Sequence, residues 1–136
     1  MAKTTVHLTN LSGDTATLVS SAYESAPTKI RNDAAPIPFV QDISPYALGA
    51  VVYNVGNIVK WIVLWTTDNR VTTRVVPAGS IVVWKDIGDK LSPDHAEDSL
   101  TTDDGGVYTS IADINPTHDG QNLSVTITIT GGSKYE

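Results

Sequence analysis

The chain has 136 residues, enough for one domain with a buried core, and the apolar set AVILMFWYC supplies 40% of them, which argues against a disordered chain. It has no cysteine, which excludes disulfides, thiolate metal sites and thiol chemistry. The net charge is −6, and residues 86–104 carry all of it, with Asp86, Asp89, Asp94, Glu97, Asp98, Asp103 and Asp104 against Lys90 alone. No basic stripe is left for a nucleic-acid backbone or an anionic membrane, so no nucleic-acid partner is expected.

The start lacks the basic region and long apolar run of a secretion signal, and no apolar stretch approaches a membrane span. The expectation is a soluble protein, cytoplasmic or exported without a signal peptide. The sequons at Asn10 and Asn122 read as chance matches.

Val6 and Leu8 alternate with Thr5, His7 and Thr9, a turn signal runs from Asn10 to Asp14, and alternation resumes around Ala16, Leu18 and Val19. This pair predicts an opening hairpin. Pro27, Pro36, Pro38 and Pro45 then exclude long central strands from residues 24–47. Ile37, Phe39 and Val40 suit a short edge strand, and the rest reads as loop packed through Tyr23, Ile30 and Tyr46.

The centre carries the strongest signal. Ala47 to Val55 is an apolar, β-branched run. Val59, Trp61, Val63 and Trp65 share one face of the next segment, and Lys60, Ile62 and Leu64 share the other, apolar enough to be covered as well. Thr66 to Asn69 is a turn, Arg70 to Val76 returns, and Ser80 to Trp84 reads as a further strand after Pro77 and Gly79. The spacing predicts an antiparallel meander.

Residues 85–104 lose the pattern. Asp94 to Leu100 fits a helical turn or two, with Ser92 as cap and Pro93 in the first helical position. Val107, Thr109 and Ile111 mark another alternating strand. In the last one Leu123, Val125, Ile127 and Ile129 oppose Ser124, Thr126, Thr128 and Thr130, and that threonine face suits either solvent or a second copy of the chain in a homo-oligomer. The tail from Gly131 reads as frayed. The whole predicts a single all-β domain over residues 1–136, a small antiparallel β-sandwich of eight or nine strands, although a small closed barrel gives the same alternation.

No serine sits in a nucleophile-elbow pattern and no glycine-rich phosphate cradle occurs. Asp94, Asp98, Asp103 and Asp104 are candidate metal ligands, because oxygen donors suit Ca²⁺ and crowded carboxylates repel unless screened. The competing reading is a solvated acidic loop. Among the aromatics, Tyr53, Trp65, Trp84 and Tyr108 are candidates to stack on a ligand, and Arg70 and Arg74 to contact its polar groups. Core packing competes for at least one of the paired tryptophans, Trp61 and Trp65.

Gly49 with Ala50, Val51, Val52 and Tyr53, then the Lys60 to Trp65 strand, then Asn69, Arg70 and Val71, resembles jasmonate-induced-protein-like sequences and their fungal relatives. Arg70 stands where those sequences have lysine. Val6 to Asn10 with Ser12 and Gly13, Trp84 with Ile87 and Leu91, and Ser110 to Ile114 are also similar, so the resemblance covers most of residues 5–115. It implies an actinoporin-like β-sandwich, with a fungal relative associated with sphingolipid and cholesterol membranes. The chain lacks the long amino-terminal extension and the cysteines of the plant proteins. Residues 1–5 are too short for the amphipathic helix of a pore former, so pore formation is not expected.

Three functions follow as expectations. The first is a non-catalytic, lectin-like binding domain for a carbohydrate or a neutral or zwitterionic lipid headgroup, with peripheral membrane contact. The second is a structural or self-assembling protein without a small ligand. The third is a carboxylate- or metal-dependent hydrolase built on Asp94, His95 and Asp98.

Overall fold

The computed structural model describes residues 2–21, 26–35, 38–43, 48–103, 105–118 and 120–131. Tyr23, Ile37, Tyr46 and Asp104 lie outside them, as does the tail beyond Gly131. The strands are β1 (Ala2–Leu11), β2 (Ala16–Ser21), β3 (Lys29–Ile30), β4 (Phe39–Ile43), β5 (Gly49–Val55), β6 (Val59–Trp65), β7 (Arg70–Pro77), β8 (Ser92–Pro93), β9 (His95–Thr101), β10 (Val107–Pro116) and β11 (Gly120–Thr130). One short helix, α1 (Trp84–Gly88), lies between β7 and β8.

The strands form two sheets packed as a sandwich. The first has the order β4-β1-β11-β10-β9, and the second β3-β2-β5-β6-β7-β8. All pairings are antiparallel except β1 with β11, which run parallel. The sandwich is therefore mixed, and it has more strands than the eight or nine expected.

Alternation places the core. Val6 and Leu8 of β1, Leu123, Val125 and Ile127 of β11, and Ala112 and Ile114 of β10 meet Val51, Tyr53, Trp61, Val63, Trp65, Val71 and Val75 of the second sheet. Trp61 and Trp65 are both 0% exposed, and truncating a buried tryptophan typically costs about 3–5 kcal/mol. A Cβ at Gly49 would overlap the Trp65 indole, so only glycine lets that ring lie across β5. Polar atoms around Trp61 in this interior are paired, whereas the buried Trp65 Nε1 has no hydrogen-bond partner among the described residues. Trp61 Nε1 donates to Ser110 Oγ at 2.8 Å, Ser110 Oγ lies 2.7 Å from Thr73 Oγ1, and Thr73 Oγ1 donates to the Ile62 carbonyl at 2.9 Å. Tyr53 donates to the Pro27 carbonyl at 2.7 Å, and burial pushes its hydroxyl pKa up.

The second sheet is covered on its outer face too, as the apolar Ile62 and Leu64 foretold. Val52, Ile62 and Leu64 pack under Ile87 of α1, with Val82 and Leu91 beside it. Residues 78–91 thus form a strap, held by Lys60 Nζ donating to the Ser80 carbonyl at 2.7 Å.

Several local expectations fail for one reason: the chain changes sheet. β1 and β2 are not a hairpin, because they lie in different sheets. Residues 80–83 are not a strand. They enter the strap, where Val82 packs on the outer cluster and Ile81 stays 86% exposed. Residues 94–100 are not helical, and Ser92 and Pro93 cap nothing. They are β8, followed by a switch at Asp94 and then β9. At the switch Asp94 has a φ of 69°, its N–H donates to the Asn69 carbonyl at 3.0 Å, and its own carbonyl accepts from Ile114 N–H at 2.9 Å. One residue so stitches both sheets, and its side chain tolerates the left-handed backbone. In β10 the buried set is Tyr108, Ser110, Ala112 and Ile114, while Val107, Thr109 and Ile111 face outward.

The β5–β6–β7 meander forms as expected. Gly56 and Asn57 both have a φ of 57°, as the reversal of a type I′ turn demands. Phe39 and Val40 begin β4, an edge strand. Within the last strand Leu123, Val125 and Ile127 are buried, and the Ser124 and Thr126 side faces out.

Candidate functional site

The two ends of the sandwich are finished differently. At the end where β11 begins, Gln121 closes the gap between the sheets. Its Nε2 donates to Thr4 Oγ1 at 2.9 Å and to the Thr66 carbonyl at 2.6 Å, and its Oε1 accepts from Asn69 N–H at 3.2 Å. The residue is 2% exposed, so a buried amide with satisfied partners seals this end.

The opposite end is open. The turn after β5 brings in Ile58, the end of β7 brings Pro77, the end of β9 brings Leu100 and Thr101, the turn after it brings Thr102 and Asp103, and the start of β10 brings Tyr108. Together they line a groove of about 450 Å³. Ile58 is 42% exposed although apolar, because its side chain borders the groove. Thr102 shapes the turn: its N–H and hydroxyl both donate to the Gly106 carbonyl, at 2.8 and 3.1 Å. Gly105 follows with a φ of 87°, a backbone state that costs glycine little. The groove therefore has apolar walls and a rim of hydroxyls and one carboxylate, and among the described residues no lysine or arginine lines it.

The expected ligand residues scatter over this frame. Tyr108 lines the groove but is 2% exposed, so little of its ring meets solvent. Tyr53 and Trp65 are 0% exposed and fill the core, where neither ring reaches a ligand. Trp84 opens α1 on the strap and is 40% exposed, beside Ile81 and Val83. Arg70 is exposed and reaches the Leu91 carbonyl at 3.4 Å. Arg74 Nε lies 3.3 Å from Asp98 Oδ2, and that carboxylate also accepts Val75 N–H at 2.8 Å.

The described candidate metal ligands, Asp94, Asp98 and Asp103, are not brought together. Among the described residues no group of three or more His, Cys, Asp or Glu side chains is arranged to hold an ion. Asp94 sits at the sheet switch, Asp98 turns toward Arg74, and Asp103 lies on the groove rim. Asp104 lies outside the described residues. Nor do Asp94 and Asp98 orient His95. Its Nδ1 lies 2.7 Å from Oδ1 of Asp113, the residue directly across on β10, and its Nε2 lies 4.0 Å from Glu97 Oε2. The hydrogen bond to Asp113 raises the His95 pKa, and the charges of Asp113 and Glu97 add to this against a partial loss of hydration.

Most of the groove was not singled out from sequence. Ile58, Pro77, Leu100 and Thr101 come from one turn and two strand ends far apart in the sequence and share no spacing. The one local signal was an apolar residue inside a turn, at Ile58. Among the described residues no helix is long and apolar enough to cross a membrane. No protein-family model matches the chain, and no curated protein matches it.

Proposed function

We propose that the chain is a non-catalytic binding domain that holds a carbohydrate, or the neutral or zwitterionic headgroup of a lipid, in the open-end groove. The observation that carries this reading is the composition of the groove, with Ile58, Pro77 and Leu100 as apolar walls and Thr101, Thr102 and Asp103 at the rim. A sugar ring or headgroup offers the matching pattern, C–H faces for the walls and polar groups for the rim. A volume of about 450 Å³ suits one or two sugar rings or a headgroup. The resemblance of the β5 to β7 segments to jasmonate-induced-protein-like sequences, and through them to an actinoporin-like sandwich, supports the same class of ligand.

The test is a titration of the full chain with neutral glycans and with zwitterionic phospholipid vesicles, followed by amide spectra. The expected result is saturable change at Thr101, Asp103 and Tyr108 with one of the two. No change at those residues across both panels overturns the reading.

A second reading is self-association through the strap. It is favoured by one observation, the exposure of Ile81 (86%), Val83 (49%) and Trp84 (40%) side by side. Sedimentation of the wild-type chain and of Ile81→Ser distinguishes it. A dimer that dissociates in the variant supports this reading, and a wild-type monomer at high concentration removes it.

A further inference from the structure

We propose a second, separate site at the side of the sandwich: a pocket beside the free edge of β3 that takes a small amphipathic carboxylate, its apolar body inside and its charged group at Lys29 and Arg31. The pocket has a volume of about 250 Å³ and draws its lining from β1, from β3 and from the segments on either side of β3.

The pocket exists because β3 ends early. The strand holds two residues, opposite Ala16 and Thr17 of β2. After Arg31 the chain turns at Asn32 and Asp33. Asp33 has a φ of 62°, its N–H donates to the Asn10 carbonyl at 2.7 Å, and Ala34 N–H donates to the Arg31 carbonyl at 3.4 Å. The turn brings Ala34 and Ala35 to the pocket, where their small side chains leave it open. Leu8 of the first sheet and Ile30 of the second, both core residues, give it an apolar depth.

Charge at this pocket has one sign among the described residues. Lys29 and Arg31 are the closest pair of Lys or Arg residues in the sequence, although the chain as a whole carries −6. Both are exposed and both line the pocket, and among the described residues no carboxylate lines it. Neither side chain makes a hydrogen bond or an ion pair with a described residue. Asp33 shares the turn but is not part of the lining.

The backbone adds an independent donor. Leu18 N–H donates to the Thr28 carbonyl at 2.8 Å, and Ala16 lies opposite Ile30. Peptide groups of an extended strand alternate in direction. Thr28 and Ile30 therefore turn theirs to β2, and Lys29, between them, turns its N–H to the free edge, where no described strand pairs with β3. An acid with an apolar body meets both halves of the pocket. Its body covers Leu8 and Ile30, and its carboxylate meets Lys29 N–H and the two cations with charge-assisted hydrogen bonds. The volume lies below the about 300–1,000 Å³ of drug-sized sites, so the acid is a small one.

The test uses amide spectra of the full chain with phenylacetate, with octanoate, with acetate and with neutral phenylacetamide, at constant ionic strength. Saturable shifts at Ile30, Ala34 and Ala35 with phenylacetate or octanoate are expected, with weaker binding of acetate and of the amide. A response to phenylacetate alone identifies an aromatic acid, and one to octanoate alone a fatty acid. Lys29→Gln and Arg31→Gln, both at exposed positions, should each weaken binding of the acid about threefold, the worth of an exposed ion pair, and leave binding of the amide unchanged. No saturable shift with either acid, equal affinity for acid and amide or for acetate, or unchanged affinity in both variants overturns the proposal. The groove reading is unaffected by that failure, because it is read at Thr101 and Asp103 with neutral glycans and zwitterionic vesicles.

Discussion

The two ends of this sandwich face the same problem and solve it in opposite ways. Each must finish the gap between two sheets. At one end the buried Gln121 spans it and bonds three partners on β1 and the β6–β7 turn. At the other, Leu100, Pro77 and Ile58 stop short of each other and leave a groove. The contrast teaches that the open end is not a failure of packing, since the fold has a means of sealing such a gap and uses it elsewhere. It also separates two kinds of residue, those whose loss costs stability and those whose loss costs binding.

That separation is open to attack from both sides. The largest effect is expected at the sealed end. Gln121→Ala strands Thr4, the Thr66 carbonyl and Asn69 N–H, and should cost about 2–4 kcal/mol by denaturant unfolding while leaving groove binding intact. Loss of affinity with no loss of stability would erase the contrast. Next comes the interior between the ends. Ser110→Ala leaves Trp61 Nε1 without its acceptor and should cost about 1–3 kcal/mol, again without touching ligand affinity.

At the open end the pattern should invert. Thr101→Val and Asp103→Asn change exposed side chains, so their stabilities should stay within about 0.5 kcal/mol of wild type. Affinity for the groove ligand should drop about tenfold in each. The smallest effect lies away from both ends, at His95. Its pKa is raised in the fold by Asp113. The folded state thus holds the proton more tightly than the unfolded chain, whose value is about 6.5. The resulting stabilisation is complete below about pH 6.5 and is lost as pH rises through the folded pKa. An NMR titration of the imidazole should show a midpoint above the ordinary value, moving back toward it in Asp113→Asn.

Legibility followed locality. β5, β6, β7 and β11 were readable because their partners or their alternation lie in one stretch of sequence, and Trp61, Val63 and Trp65 on one face of β6 set the core direction. The outer cover of β6 was readable from Ile62 and Leu64 alone. What the residues hid were the changes of sheet. Nothing local at Asn10 to Asp14 says that β1 will pair with β11, more than a hundred residues away, instead of with β2. Nothing at Asp94 says that one residue will bond Asn69 in one sheet and Ile114 in the other. The acidic run read as loop or helix because its charges mask a strand whose inward positions, Ala96, Asp98 and Leu100, include a carboxylate paired with Arg74. The candidate site suffered most. Tyr53 and Trp65 looked like ligand residues by type, whereas the groove is built from residues that only the turns bring together.

The most direct test of the central claim is a comparison of shift maps for the wild-type chain with a neutral glycan panel and with zwitterionic vesicles. The claim requires saturable perturbation centred on Thr101, Asp103 and Tyr108, with the Gln121 end silent. Perturbation spread along the strap at Ile81 and Trp84, with none in the groove, would contradict it.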